Sequence, residues 1–138
     1  QAGVGRGRFD METLNAINEK MTKALGQVSG RLDAIFFCPH AADSPCACRK
    51  PKPGMFLEIA QRFNADLKGM PVVGDSLRDL QAPVVADTLH NKQAGVAVGC
   101  KPYLVKTGKG SKTALDPALP EGTEIFADLA AVVAHLTA

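Results

Sequence analysis

The chain has 138 residues, the length of one ordinary domain. With 46% hydrophobic and 22% charged residues it is too apolar for a disordered segment. Sixteen basic against 14 acidic side chains leave a charge of +2, without the basic excess of a nucleic-acid partner. No run approaches the roughly 20 apolar residues of a membrane span, and the start lacks a signal-peptide core.

Gln1–Arg8 carries three glycines and no apolar periodicity and reads as a loop. A segment before Gln1 is expected to be missing. Asp10 is a helix cap, followed by the apolar stripe Met11, Leu14, Ile17, Met21, Leu25 and Val28. Gly26, Ser29 and Gly30 supply the stop. Ala34–Phe37 reads as a strand buried on both faces.

Residues 38–53 read as a loop of turn formers, cysteines and charge. Met55, Phe56, Ile59, Ala60 and Phe63 form a second helical stripe. Met70–Val73 reads as a strand ending at Gly74-Asp75, and Ser76 caps a helix through Leu77 and Leu80. Pro83 should break or kink that helix. The stretch from Ala82 to Gln93 is either a loop with one more helical turn or an insertion. Val96–Val98 and Tyr103–Val105 are further strands, and Thr123–Leu136 a C-terminal helix. Helices alternating with short buried strands predict an α/β fold, a parallel sheet with helices on both faces. Ligands bind such sheets beyond the carboxyl ends of the strands.

Three of the four cysteines fall between Cys38 and Cys48, together with His40. The pattern Cys38-x-His40-x5-Cys46-x-Cys48 offers three thiolates and an imidazole. That set suits a closed structural zinc site in a reducing compartment, ahead of an iron–sulfur centre. Arg49-Lys50-Pro51-Lys52-Pro53-Gly54 follows directly, a stiff basic strip able to hold an anion. Gly74-Asp75-Ser76-x-x-Asp79 sets two carboxylates one helical turn apart, either a helix cap with a surface acid or a Mg²⁺ site. Its place after a strand favours the second. Cys100 reads as a small buried residue, and Gly108-Lys109-Gly110 either faces phosphate or, the favoured reading, is a flexible surface loop. His90 and His135 lack partners, and His135 sits where a surface or dipole role is expected.

Cys38-Pro39-His40, Cys46 to Met55 and Val73 to Asp79 together resemble the heptose 1,7-bisphosphate 7-phosphatase family. This family lies in the histidinol-phosphatase-like subgroup of the haloacid dehalogenase superfamily. The resemblance covers nearly the whole chain. It implies a Rossmann-like haloacid dehalogenase core over 1–138, a single N-terminally incomplete domain with a zinc loop at 38–54 and a possible insertion at 82–93. It also implies Mg²⁺-dependent hydrolysis of the 7-phosphate through an aspartyl-phosphate, in the supply of heptose for bacterial lipopolysaccharide. Asp75 would be the Mg²⁺ ligand with Asp79 supporting it, and Lys50 the catalytic lysine at the phosphoryl group. Arg49, Gln1, Ala2 and Ser76 would join Lys50 at the substrate. Cys38, His40, Cys46 and Cys48 would hold Zn²⁺.

The expected partner is a small sugar phosphate, the expected state a monomer in the cytoplasm. The family's Asp-x-Asp-Gly, which supplies nucleophile and general acid, is absent from these residues. The chain alone is therefore expected to be inactive. Histidinol-phosphate phosphatase and a catalytically dead zinc-containing binding module are the alternatives.

Overall fold

Short apolar runs separated by capped helices produce the observed order, seen in a computed structural model that describes residues 1–90 and 99–138, without the side chains of 84–90. The described residues fall into two units, Gln1–Arg49 and Lys50–Ala138.

The first unit opens with a single helical turn, α1 (Ala2–Gly5), where the sequence predicts a loop. Backbone contact rather than periodicity makes it. Arg6 N–H donates to the Ala2 carbonyl at 2.9 Å and Arg8 N–H to that of Gly3 at 2.8 Å. A Cβ on Gly5 would collide with the backbone of His40 and Ala41, so only glycine allows this approach.

Helix α2 (Met11–Gln27) begins where Asp10 accepts the Thr13 N–H at 2.8 Å. It ends in a Schellman arrangement. Gly30 N–H donates to the Leu25 carbonyl, Ser29 N–H to that of Gly26, and Ser29 takes the left-handed conformation at φ 62°. Of the apolar stripe, Leu14 is buried, whereas Met11, Ile17, Met21 and Val28 are exposed.

Ala34–Phe37 is not a strand, contrary to expectation. A strand exists through its ladder, and among the described residues this run has no pairing partner.

The second unit begins at the cis Lys50–Pro51 peptide and continues into α3 (Gly54–Phe63). Asn64, at φ 46°, closes that helix with a second Schellman pair, Ala65 N–H to Ala60 and Asn64 N–H to Gln61. Strand β1 (Pro71–Gly74) leads into α4 (Leu77–His90). This helix runs on through the buried Pro83 instead of breaking there. Proline lacks the N–H that would reach the Asp79 carbonyl and its ring crowds that carbonyl, a cost the burial of Pro83 in the core offsets. Part of the possible insertion thus lies within α4, while 91–93 and the Val96–Val98 strand lie outside the described residues.

Strand β2 (Lys101–Val105), α5 (Gly110–Thr113), β3 (Glu124–Phe126) and α6 (Leu129–Leu136) follow. The expected helix over Thr123–Leu136 is therefore a strand and then a shorter helix. Asp128 accepts the Ala131 N–H at 2.8 Å and starts α6, which frees Glu124-Ile125-Phe126 to pair with β2.

The described sheet has the order β1-β2-β3, all parallel, with Val73 opposite Tyr103 and Tyr103 opposite Glu124. Alternate strand residues face opposite sides. Val72 packs with Ala60, Leu67 and Cys100 on the α3 side. Val73 packs with Tyr103, Val105 and Val132 of α6. Helices thus cover both faces, and the loops after β1 and β2 leave the same edge.

Candidate metal centre and active site

The loop after Phe37 has no regular structure, and its shape comes from four side chains converging. One ligand atom each from Cys38, His40, Cys46 and Cys48 lies within 4.8 Å of every other. Cys38 Sγ stands 3.7 Å from Cys46 Sγ and 3.4 Å from His40 Nδ1, and Cys48 Sγ 3.3 Å from that nitrogen. A tetrahedral zinc places its sulfurs about 3.7 Å apart and sulfur about 3.5 Å from nitrogen. The residues therefore fit zinc, through His40 Nδ1. They do not fit a Cys38–Cys46 disulfide, which needs sulfurs at about 2.05 Å.

The protons of these thiols are unequally held. Partial burial raises Cys46, but the Arg49 amide, then the Cys38 and Cys48 thiols, outweigh it and bring Cys46 down to about 7. Burial first, then hydrogen bonding and charge at Cys38 and Cys46, push Cys48 up to about 12. Gln1 and Ala2 belong to this unit, where Gln1 caps α1 and its carbonyl accepts the Val4 N–H.

In the second unit, the turn after β1 carries the acidic motif. Asp79 is the third residue of α4, and its Oδ2 reaches back to the Ser76 N–H at 3.2 Å and the Ser76 hydroxyl at 2.6 Å. This is a capping arrangement with Asp in the reciprocal position. Its Oδ1 accepts from Lys50 Nζ at 2.5 Å. Burial works against the Asp79 charge, yet Lys50 and then Ser76 hold its carboxyl below the usual range.

Asp75 turns elsewhere. Its Oδ2 accepts the Lys109 N–H at 2.8 Å, and its carbonyl accepts from the Thr113 hydroxyl at 2.9 Å. The two carboxylates of the motif thus have separate partners. The structure joins Lys50, Ser76 and Asp79 directly and places Asp75 on the same turn.

Gly108-Lys109-Gly110 is a correction to the expected flexible surface loop, since it docks on Asp75. Sequence reasoning named Gly108 and Lys109 without their link to Asp75, and missed Thr113. The available signal was that β1 and β2 are parallel neighbours, so the turns that leave them meet. Cys100 is buried as expected, and burial pushes its thiol up to about 11. His135 is half exposed, with Nε2 3.6 Å from Glu124 Oε2 and its ring 5.1 Å from that of Phe126. The side chain of His90 lies outside the described residues.

A HAD-hydrolase-like family profile matches residues 47–132. The D-glycero-beta-D-manno-heptose-1,7-bisphosphate 7-phosphatase of Bordetella bronchiseptica is 54% identical over 136 residues, covering 99% of this chain and 69% of that protein. The chain belongs to the heptose 1,7-bisphosphate 7-phosphatase family. The family member from Pseudomonas aeruginosa is 43% identical over 136 residues, 99% of this chain and 69% of that protein. A crystal structure of the B. bronchiseptica D,D-heptose 1,7-bisphosphate phosphatase, complexed with magnesium and phosphate, superposes with a TM-score of 0.88. It shares 52% identity over 99% of this chain and 70% of its own. The HAD-like fold and the phosphoric monoester hydrolase class follow from this family. Among the described residues, no helix is long and apolar enough to cross a membrane.

Proposed function

We propose that this chain supplies the metal- and phosphate-handling part of a magnesium-dependent phosphatase that removes the 7-phosphate of heptose 1,7-bisphosphate. The observation that carries this reading is the chain Ser76–Asp79–Lys50, which ties an ammonium to the turn bearing Asp75. In a parallel sheet, that edge is where ligands bind.

The Asp75 carboxylate would hold Mg²⁺, which when bound offsets and orients the phosphoryl charge. Lys50 neutralises phosphoryl oxygens as charge builds in the transition state. Asp79 is a positioning residue, since it holds Lys50 and is itself held by Ser76. Arg49, next to Lys50 in the chain, offers a planar fork to a sugar phosphate, and Ser76 touches the substrate. Cys38, His40, Cys46 and Cys48 hold zinc as a closed structural group. The Ala82–Gln93 stretch is proposed as an insertion within a single domain. A monomeric, cytoplasmic enzyme completes the reading.

An aspartyl-phosphate route needs a carboxylate nucleophile and a second acid for the leaving group. Asp75 and Asp79 are already committed, and the 138 residues contain no Asp-x-Asp. A second reading is a zinc-containing module that binds sugar phosphates without turnover, which the Cys/His cluster and the Lys50 strip would equally serve.

Phosphate release with Mg²⁺ separates them, measured on heptose 1,7-bisphosphate and histidinol phosphate, with the chain alone and with an added Asp-x-Asp-Gly segment. The expected result is release from the bisphosphate only when the segment is present. Turnover by the chain alone contradicts the assignment of the acids. Tight bisphosphate binding without turnover in either arm supports the binding module, and a preference for histidinol phosphate moves the substrate.

A further inference from the structure

We infer that the turn Thr107–Lys109 together with Thr113 is a positioning device for the Asp75 carboxylate, with Thr113 the side chain that locks it. The inference rests on Asp75 being the cation ligand of the proposed phosphatase.

Three independent contacts converge on Asp75 from this segment. The Lys109 amide donates to Oδ2 at 2.8 Å, which fixes the rotation of the carboxylate about its Cβ–Cγ bond. Gly108, at φ 56°, lies so close that a Cβ there would collide with the same oxygen. The Thr113 hydroxyl points between two carbonyls, that of Asp75 at 2.9 Å and that of Lys109 at 3.2 Å. One side chain therefore ties the end of β1 to the residue whose amide holds the carboxylate.

The turn is itself built to stay in place. Gly110 N–H donates to the Thr107 carbonyl at 2.9 Å, and Thr113 N–H to that of Lys109 at 3.0 Å. Ser111 Oγ donates to the Lys106 carbonyl at 3.2 Å. Gly110 is buried against the Val105 carbonyl with no room for a Cβ. A ligand carboxylate whose orientation is set by surrounding hydrogen bonds binds its cation more tightly, because less freedom is lost on binding.

The test is Mn²⁺ binding to the full chain, followed by the electron paramagnetic resonance of the free ion, without any turnover. Thr113→Val and Gly108→Ala are each expected to weaken Mn²⁺ binding roughly 10- to 100-fold, the usual effect of losing an outer-shell partner. Thr113→Ser, which keeps the hydroxyl, should bind as the parent does, and Asp75→Asn should lose the ion. Parent-like binding by Thr113→Val and Gly108→Ala, with binding lost in Asp75→Asn, overturns the positioning device and leaves the phosphatase reading intact. Parent-like binding by Asp75→Asn overturns the assignment of Asp75 itself. Should Thr113→Val fail to fold, the Lys109 amide proton resonance decides. It should move upfield in Asp75→Ala, and an unmoved resonance overturns the inference.

Discussion

Lys50 and Asp79 show how much of this site depends on one pair of charges. Lys50 keeps about two-fifths of its side chain in solvent and Asp79 about one-fifth, so water screens the pair and its worth is mainly geometric. The folded carboxyl of Asp79 titrates below the ordinary value of about 3.9. Its contribution to stability is therefore present above that value and is lost as pH falls through the lower, folded one. Acid titration of the thermal midpoint should show this, and Asp79→Asn should flatten the acid limb while releasing Lys50. At the metal loop, Cys46→Ser should lose zinc and free the Arg49 amide. Elemental analysis of chelator-free protein checks it, with one zinc per parent chain expected.

Among the elements, α1 and the Cys/His loop depend on each other through one glycine. Gly5→Ala has no space beside His40 and Ala41 and should weaken zinc retention in a chelator competition. Gly26→Ala is its contrast, since nothing lies within 4 Å of that position inside α2. There the substitution should stabilise by about 0.5–1 kcal/mol, read as a higher thermal midpoint. Asp128→Ala should cost about 1 kcal/mol through the lost cap of α6.

The same elements show what a sequence can carry. Cap and stripe placed α2 because Asp10 and Leu14 act locally. The Cys38, His40, Cys46 and Cys48 cluster was legible because metal chemistry needs only side-chain type and spacing. Glu124–Phe126 was not, since its strand exists through pairing with β2, whose Tyr103 lies opposite Glu124 far along the chain. Gly108 and Thr113 were hidden for a like reason, because their role appears only when the turn after β2 meets Asp75.

At the scale of the molecule, the two units have different sources of order. Leu14 and Cys38 are the buried hydrophobic side chains described in Gln1–Arg49, whereas Lys50–Ala138 encloses Leu80, Leu104 and Val132. With so small an apolar core, the first unit would lean on zinc held by Cys38, His40, Cys46 and Cys48. Chelation should therefore speed amide exchange around Cys38–Arg49 while the β2 amides of Tyr103 and Leu104 keep their protection.

Catalysis at this site would turn on Lys50 acting at the transition state. Steady-state kinetics of Lys50→Ala on heptose 1,7-bisphosphate, with the Asp-x-Asp-Gly segment present, test it most directly. The prediction is a fall in kcat of roughly 10²- to 10³-fold, with KM little changed. An unchanged kcat with a raised KM would contradict it, for Lys50 would then serve substrate binding alone.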